Sequence, residues 1–315
     1  MLKYILKRLG TGLLTLWIIT TITFFLMHSL PGDPFASEKA IPPKVKARLM
    51  AKYHLDKPVI VQYGYYLSGI PKGDFGMSMK VRGRKVSDMI MKKFPVSLDL
   101  GLRAVLFSFI VGVSLGIIAS LNHGKKWDGI SMIVAIIGVS VPSFILAGTF
   151  QWLILLIGKY MGVYVLPIAG YSSFKHTIIP TIALGLMPVA IIARMMRASM
   201  IEVLGQDYVR TAKAKGISTF KVTIKHCVRN AIMPVLIYMG PLTASITTGS
   251  FVMEQVFAIP GLGKYYIQSL YNRDYTMVLG ITVFYAALLI GMILLVDIIY
   301  GFIDPRVRLS KKKGE

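Results

Sequence analysis

The sequence predicts an all-α integral membrane protein with six transmembrane helices, and three observations predict it. Of the 315 residues, 55% are hydrophobic and only 16% charged, with a mean hydropathy of +0.64, far too apolar for a water-soluble domain. Six apolar runs are each long enough to cross a hydrocarbon core of about 30 Å. The basic residues are gathered as well: sixteen of the 36 Lys and Arg fall in four short segments that flank apolar runs on one side. In a soluble chain a formal charge of +22 points to a polyanion. Here membrane orientation accounts for the charge and argues against a nucleic-acid partner. The one cysteine, Cys227, excludes an intrachain disulfide and has no neighbours at metal-ligand spacing.

The chain starts with Lys3, Lys7 and Arg8, and the first span runs from Leu9 to Leu30. That run is too long for a signal peptide and no small-residue cleavage site follows it. Leu30-Pro31-Gly32-Asp33-Pro34 then stops the helix. Residues 31–97 carry thirteen Lys/Arg against five Asp/Glu. They are expected outside nonetheless, because a segment of this length translocates largely regardless of charge. Pro42-Pro43 introduces an amphipathic helix over Lys44–Tyr53. The whole segment reads as a solvated external subdomain with no site of its own, packing on the mouth of the protein.

The second span runs from Ser97 to Leu121. Asp99 and Arg103 are spaced i, i+4 and can pair, which lowers the cost of placing Arg there. Gly112-Val113-Ser114-Leu115-Gly116 matches both the nucleophile elbow and the helix-packing pattern. An elbow needs a strand-to-helix turn, so close packing is the better reading. After the basic loop of His123, Lys125 and Lys126, a third span covers Ile130–Ile157 with a kink at Pro142. The fourth, Thr177–Met200, contains Pro180 and Pro188, and its Arg194 and Arg197 are expected to snorkel to the surface.

Between the fourth and fifth spans lies Gln206–Pro234, a basic polar stretch in apolar surroundings. Asp207 reads as a helix cap, good helix formers continue to Lys215, and Gly216 supplies a left-handed stop. Ser218 is the next N-cap, with Phe220, Val222, Ile224 and Val228 leading to Pro234. The segment is therefore a helix, a tight turn and a second helix outside the bilayer.

The fifth span, Ala231–Val256, carries Thr243, Ser245, Thr247, Thr248, Ser250 and Glu254, which suits a bundle interior or a water-filled path. Phe257–Lys264 looks superficially like a phosphate loop but lacks the Gly required at Ala258 and the Ser or Thr required at Tyr265. The sixth span covers Met277–Phe302, with Asp297 near its inner end. With both termini inside, the inner segments hold three, two, six and five Lys/Arg against two and two in the short outer loops.

The Gln206–Pro234 stretch resembles the EAA loop of ABC importer permeases, with Ala212, Gly216 and Pro234 in the places of the motif's Ala, Gly and late Pro. Arg210 stands where the general motif has Glu. DYVRTAKAKG with a following RNAIMP nevertheless looks like the peptide/nickel permease branch, as do LPGDP after the first span, HLDKP, GDFG, PVSLDL, FVMEQVFAIPGLG with RDY, and the closing DPRVR. The resemblance implies a type I ABC importer permease fold. It divides the chain into a first helix (1–30), an external loop subdomain (31–97), a core permease domain (98–303) containing an EAA loop at 201–230, and a cytoplasmic tail (304–315). It also implies that Asp207, Tyr208, Arg210, Thr211, Ala212, Ala214, Lys215 and Gly216 dock on an ATPase, with Ala212 facing its groove. Thr243, Thr247, Thr248, Ser250 and Glu254 become candidates for the translocation path, and Asp33, Glu254, Arg273 and Asp274 for the outer mouth.

The implied assembly is this chain, a second homologous permease subunit, two ABC ATPase subunits that use ATP and Mg, and an extracellular or periplasmic substrate-binding protein, in the lipid of a prokaryotic inner or plasma membrane. The chain itself is expected to be non-catalytic, with no bound cofactor or metal. A peptide is the expected substrate, an oligopeptide first, with dipeptide, glutathione or nickel chelate as alternatives. An intramembrane enzyme is disfavoured because His28, Ser114, His226 and Asp297 are scattered over different spans. A secondary transporter or channel should show inverted repeats or several intramembrane acids, and neither is visible.

Overall fold

The computed structural model describes residues 2–29, 35, 42–164, 166–247 and 251–303. The whole LPGDP turn with Asp33, Thr248 and Ser250 of the fifth span, and the tail from 304 lie outside the described residues. The helices are α1 (Leu2–Ser29), α2 (Pro43–Lys52), α3 (Val59–Gly69), α4 (Val86–Leu121), α5 (Lys126–Ser140), α6 (Ser143–Met161), α7 (Phe174–Leu204), α8 (Asp207–Ala214), α9 (Thr219–Val222), α10 (Arg229–Ala231), α11 (Met233–Thr247), α12 (Phe251–Val256), α13 (Leu262–Asn272) and α14 (Tyr275–Ile303). Five are long and apolar enough to cross a membrane: Ile5–Ser29 of α1, α4, α6, α7 and Tyr275–Val296 of α14. The stretch Thr219–Ala231 and α11, bent by 52° between them, make a sixth if the pair counts as one span.

Several expected boundaries shift. The third span is broken rather than kinked: Val141 is extended (φ −103°, ψ 122°) and Pro142 precedes α6 as its N-cap residue. Proline has no N–H to continue α5 and forces the residue before it out of helical geometry. α4 starts at Val86, eleven residues before the expected Ser97, and runs through Pro95. Helices α3 and α13 lie in the outer segments, in stretches given no secondary structure from sequence. The expected helix at Lys44–Tyr53 is present as α2.

The chain forms two compact units. The first comprises Met1–Val96 and Pro260–Leu294. Its core packs Phe24 and Met27 of α1 against Tyr275, Val278 and Leu279 of α14, with Tyr63 and Tyr66 of α3 beside them. Asp274 organises this unit. Its carboxylate accepts the Met277 N–H at 3.2 Å and so caps α14, and it also accepts from the Ser78 hydroxyl and from the Met79 N–H at 3.1 Å. Asp274 is buried, so it is an anchor for the 78–79 segment rather than an open outer-mouth group.

The second unit comprises Ser97–Ile259 and Leu295–Glu315. Its spine is α7, which touches α5, α6, α10 and α11 and continues through both internal prolines. The Gly112/Gly116 pair packs α4 on α7. A Cβ at Gly116 would lie 2.6 Å from the Met196 Cβ and 2.7 Å from the Ala193 carbonyl oxygen, and one at Gly112 would lie 2.7 Å from Ile192. Ser114, between them, is exposed and bonds back to the Ile110 carbonyl, which leaves the helix-packing reading of this motif.

Arg197 does not simply snorkel. Its Nε and Nη2 hold the two oxygens of Asp128 on α5 at 2.6 and 2.8 Å, with Nη2 3.0 Å from Nδ1 of His123. Arg194 is exposed.

Candidate functional site

The loop between α7 and α11 is built by helix ends. Gln206 is the N-cap of α8 in extended geometry, so Asp207 is the first helical residue rather than the cap, and it makes no side-chain capping bond. At the other end Gly216 takes φ 76°. The Gly216 N–H reaches the Lys213 carbonyl at 3.0 Å and the Ile217 N–H reaches that of Ala212 at 3.4 Å. These two bonds form a Schellman stop, which needs a left-handed residue where glycine stands. Ile217 then packs on the core.

The burial pattern of α8 splits its face. Val209 and Ala212, spaced i, i+3, are buried in the same cluster as Met200, Val222, Cys227 and Ala231. Ala212 is only 8% exposed, so it packs against its own chain and is not available to face a partner's groove. Asp207, Tyr208, Arg210, Thr211, Ala214, Lys215 and Gly216 form the outward side. Arg210 lies 3.8 Å from Asp207 on that surface, an exposed pair of small energetic weight. Tyr208 is tied down instead, because the Asn230 amide nitrogen donates to its hydroxyl at 2.9 Å. After Ser218 the chain continues as α9, a π-helical turn over Thr223–Val228, and α10. Phe220 on α9 is 79% exposed and Ile224 is exposed nearby. Sequence reading placed both on the second helix but missed that they face outward; a helix too short to have a reliable period gave no signal.

The second polar cluster of this unit lies at the Ser97 end of the bundle. Glu254 is fully buried and accepts a 2.7 Å hydrogen bond from Ser97, which places it inside the fold and not at an open mouth. Two residues on, Asp99 accepts from Arg103 Nε at 2.8 Å and from the Tyr171 hydroxyl at 2.5 Å. The Arg103 guanidinium lies 5.2 Å above the Phe174 ring. Burial and the Asp99 bond push the Tyr171 phenol up to about 12. Asp99 and Arg103 are both about one-third exposed. Gly101, between them, presses on α11, where a Cβ would lie 3.0 Å from the Thr247 Cα. Thr247 is therefore buried in a helix contact, its hydroxyl bonded to the Thr243 carbonyl at 2.6 Å. Thr243 is half-buried and bonds to the Met239 carbonyl. Arg273 is exposed at the end of α13, with φ 57°.

The phosphate-loop lookalike is two helix ends. Ala258 holds a left-handed φ of 52° after α12, and Gly261 is the N-cap of α13. Among the described residues no cluster of three metal-ligating side chains occurs.

Among the described residues, five helices of membrane length, or six with the bent pair, define a multi-pass membrane protein. The family described as binding-protein-dependent transport system inner membrane component matches residues 112–309, and its N-terminal companion matches 1–101. The chain belongs to this family. It is 48% identical over 313 residues to the dipeptide transport system permease protein DppB of Bacillus subtilis, covering 99% of this chain and 100% of that one. It is 45% identical to the oligopeptide transport system permease protein OppB of Haemophilus influenzae and 42% to that of Escherichia coli, each over 310 residues, 98% of this chain and 100% of theirs. Among solved structures it resembles a chain of the inward-facing MetNI methionine ABC transporter (TM-score 0.50, 21% identity, 70% of this chain and 95% of that one). It also resembles a chain of an amino acid ABC transporter (TM-score 0.51, 16% identity, 68% and 93%). The fold is that of a type I ABC importer permease.

Proposed function

We propose that this chain is the transmembrane subunit of an ATP-driven importer of short peptides. Two ABC ATPases use ATP and Mg, a second homologous permease completes the pathway, and an external binding protein delivers the peptide. The peptide class rests on the names of the relatives, dipeptide and oligopeptide permeases alike, so the class is set at short peptides and the binding protein sets the length.

The observation that carries the coupling role is the division of α8 into an inward side, Val209 and Ala212, and an outward side around Arg210, Thr211, Ala214 and Lys215. The inward side fastens the helix to the bundle, so a push on the outward side moves α7 and α11 rather than a loose loop. Exposed Phe220 and Ile224 extend the docking face with apolar area. ATPase closure then switches the bundle between outward and inward access, with no covalent chemistry in this chain. The termini and 206–229 lie in the cytoplasm, and 31–97 and 257–276 outside, a reading supported by the charge bias of the four short basic segments.

Asp99 and Arg103 join Thr243 as path candidates. A charged pair left about one-third exposed on a membrane-length helix is costly against lipid and is stable where it faces water or protein. The test is reconstitution with both ATPases, the second permease and the binding protein. ATP-dependent uptake of di- to pentapeptides is expected; peptide-independent ATP hydrolysis with no uptake of any of them would refute the reading.

A further inference from the structure

Residues 31–97 carry thirteen Lys/Arg against five Asp/Glu. The length of the segment permits that charge on the outer side but gives no reason for it. Four of the cations, Lys80, Arg82, Arg84 and Lys85, fall within six residues on one turn of the first unit. All four are exposed, and among the described residues none of their side chains makes an ion pair or a hydrogen bond. Gly83 at the tip takes φ 70° with open space where a Cβ would go.

The base of this turn is held firmly. Met77 and Lys85 form an antiparallel bridge, the Ser78 N–H reaches the Arg84 carbonyl at 3.0 Å, and the Val86 N–H reaches that of Gly76 at 2.9 Å. Ser78 is buried; its hydroxyl donates to the buried Asp274 carboxylate and accepts from the Val81 N–H at 2.9 Å, and its carbonyl accepts from Tyr53 at 2.8 Å. The Met79 N–H bonds to Asp274 as well, and the Thr276 hydroxyl donates to the Met77 carbonyl at 2.7 Å. These bonds seat the turn beside the end of α13, where Arg273 is exposed and Tyr271 is 84% exposed. Like charges on alternate residues, at most about 7 Å apart along the backbone, repel within the screening length of about 8 Å. The anchored base keeps them together, so the turn presents a fixed and uncompensated positive surface.

The geometry points to this patch, the 80–85 turn with Tyr271 and Arg273, as a docking surface for an acidic face of a partner protein. The partner is the external binding protein of the function proposed above, and the inference rests on that reading. A fixed charged surface speeds encounter with a partner of opposite sign more than it tightens the final complex, which suits a protein that must arrive, deliver and leave. Arg and Tyr are also the residue types enriched at protein interfaces. A lipid surface is the poorer match. Elements that lie on a membrane join their cations to a broad apolar helix face, whereas the turn between Lys80 and Lys85 offers Val81 alone, 44% exposed.

The test uses the assembled importer in nanodiscs of neutral lipid and the peptide-loaded binding protein that drives uptake in the reconstitution, with association and dissociation rates measured at low and at physiological salt. The natural complex should associate fast at low salt and slow as salt rises. Neutralising the turn with Lys80→Gln, Arg82→Gln, Arg84→Gln and Lys85→Gln together should slow association about tenfold at low salt and remove most of the salt dependence, with dissociation little changed. Arg82→Lys with Arg84→Lys, which keeps the charge, should associate at the natural rate; a defect there as large as in the neutral variant contradicts an electrostatic role. If the neutral variant, at unchanged melting temperature, associates like the natural protein, the assignment is wrong. It is equally wrong if the defect appears only in nanodiscs containing phosphatidylglycerol, which would make lipid the partner. Absence of uptake by the natural complex refutes the proposed function and the docking with it, whereas normal uptake with unchanged association refutes the docking alone.

Discussion

The hydroxyl of Ser97 on α4 donates to Oε1 of Glu254 on α12 across 2.7 Å, with both residues buried in the second unit. A carboxyl that reads from sequence as a path-lining group is thus part of the packing between two helices. A buried hydrogen bond contributes about 0.5–1.5 kcal/mol net. Ser97→Ala should therefore lower thermal stability clearly, while Ser97→Thr, which keeps a hydroxyl, should retain most of it. Equal stability of the two variants would show that the bond carries no weight.

The Arg197–Asp128 pair makes a prediction with a sign. Hydrogen bonds from Arg197, from the Gly124 N–H and from His123 hold the Asp128 carboxyl well below the usual carboxylate range. A depressed carboxyl stabilises the fold above its unfolded value of about 4 and loses that contribution as pH falls further. The difference in melting temperature between the natural protein and Asp128→Asn should persist down to pH 5, begin to shrink below about pH 4 and close only well below that. A gap that closes between pH 7 and pH 5 contradicts this.

Two glycines should respond in opposite directions to the same change. Gly116→Ala drives a methyl group to 2.7 Å from the Ala193 backbone oxygen, and such overpacking is destabilising by about 1–3 kcal/mol. Gly148 on α6 has open space where a Cβ would go, so Gly148→Ala should stabilise by roughly 0.5–1 kcal/mol through helix propensity. Unfolding of each variant in the same detergent decides it.

Gly216→Val tests the stop of α8. A β-branched residue at φ 76° is strained by about 1–3 kcal/mol. The complex should still assemble while peptide-stimulated ATP hydrolysis falls. Normal uptake by this variant would show that the helix direction does not matter.

Much of this was legible in the sequence because membrane helices announce themselves by length and apolarity. The Asp99/Arg103 pair, the Gly112/Gly116 contact and the left-handed Gly216 each follow from local spacing. What stayed hidden depends on partners distant in sequence. Nothing near Asp274 signals that its carboxylate ties down Ser78 and Met79, nothing near Asp128 signals Arg197, and Ala212 looks like a docking residue until Met200, Val222 and Cys227 are found around it. Helices α3 and α13 went unread because each lies in a polar external segment that the sequence marks by its turns and motifs. The break at Pro142 was read as a kink, since sequence shows that a helix is disturbed and not by how much.

The most direct test of the coupling account is disulfide or bifunctional crosslinking from single cysteines at Thr211, Ala212 and Ala214 to the ATPase subunit, in the assembled complex with Cys227 replaced by Ser. The outward positions 211 and 214 should crosslink and the buried position 212 should not, with yields from the first two changing between nucleotide-free and ATP-bound states. If 211 and 214 give no product, or if 212 gives as much as either, α8 is not the element that transmits ATP-driven closure to the membrane.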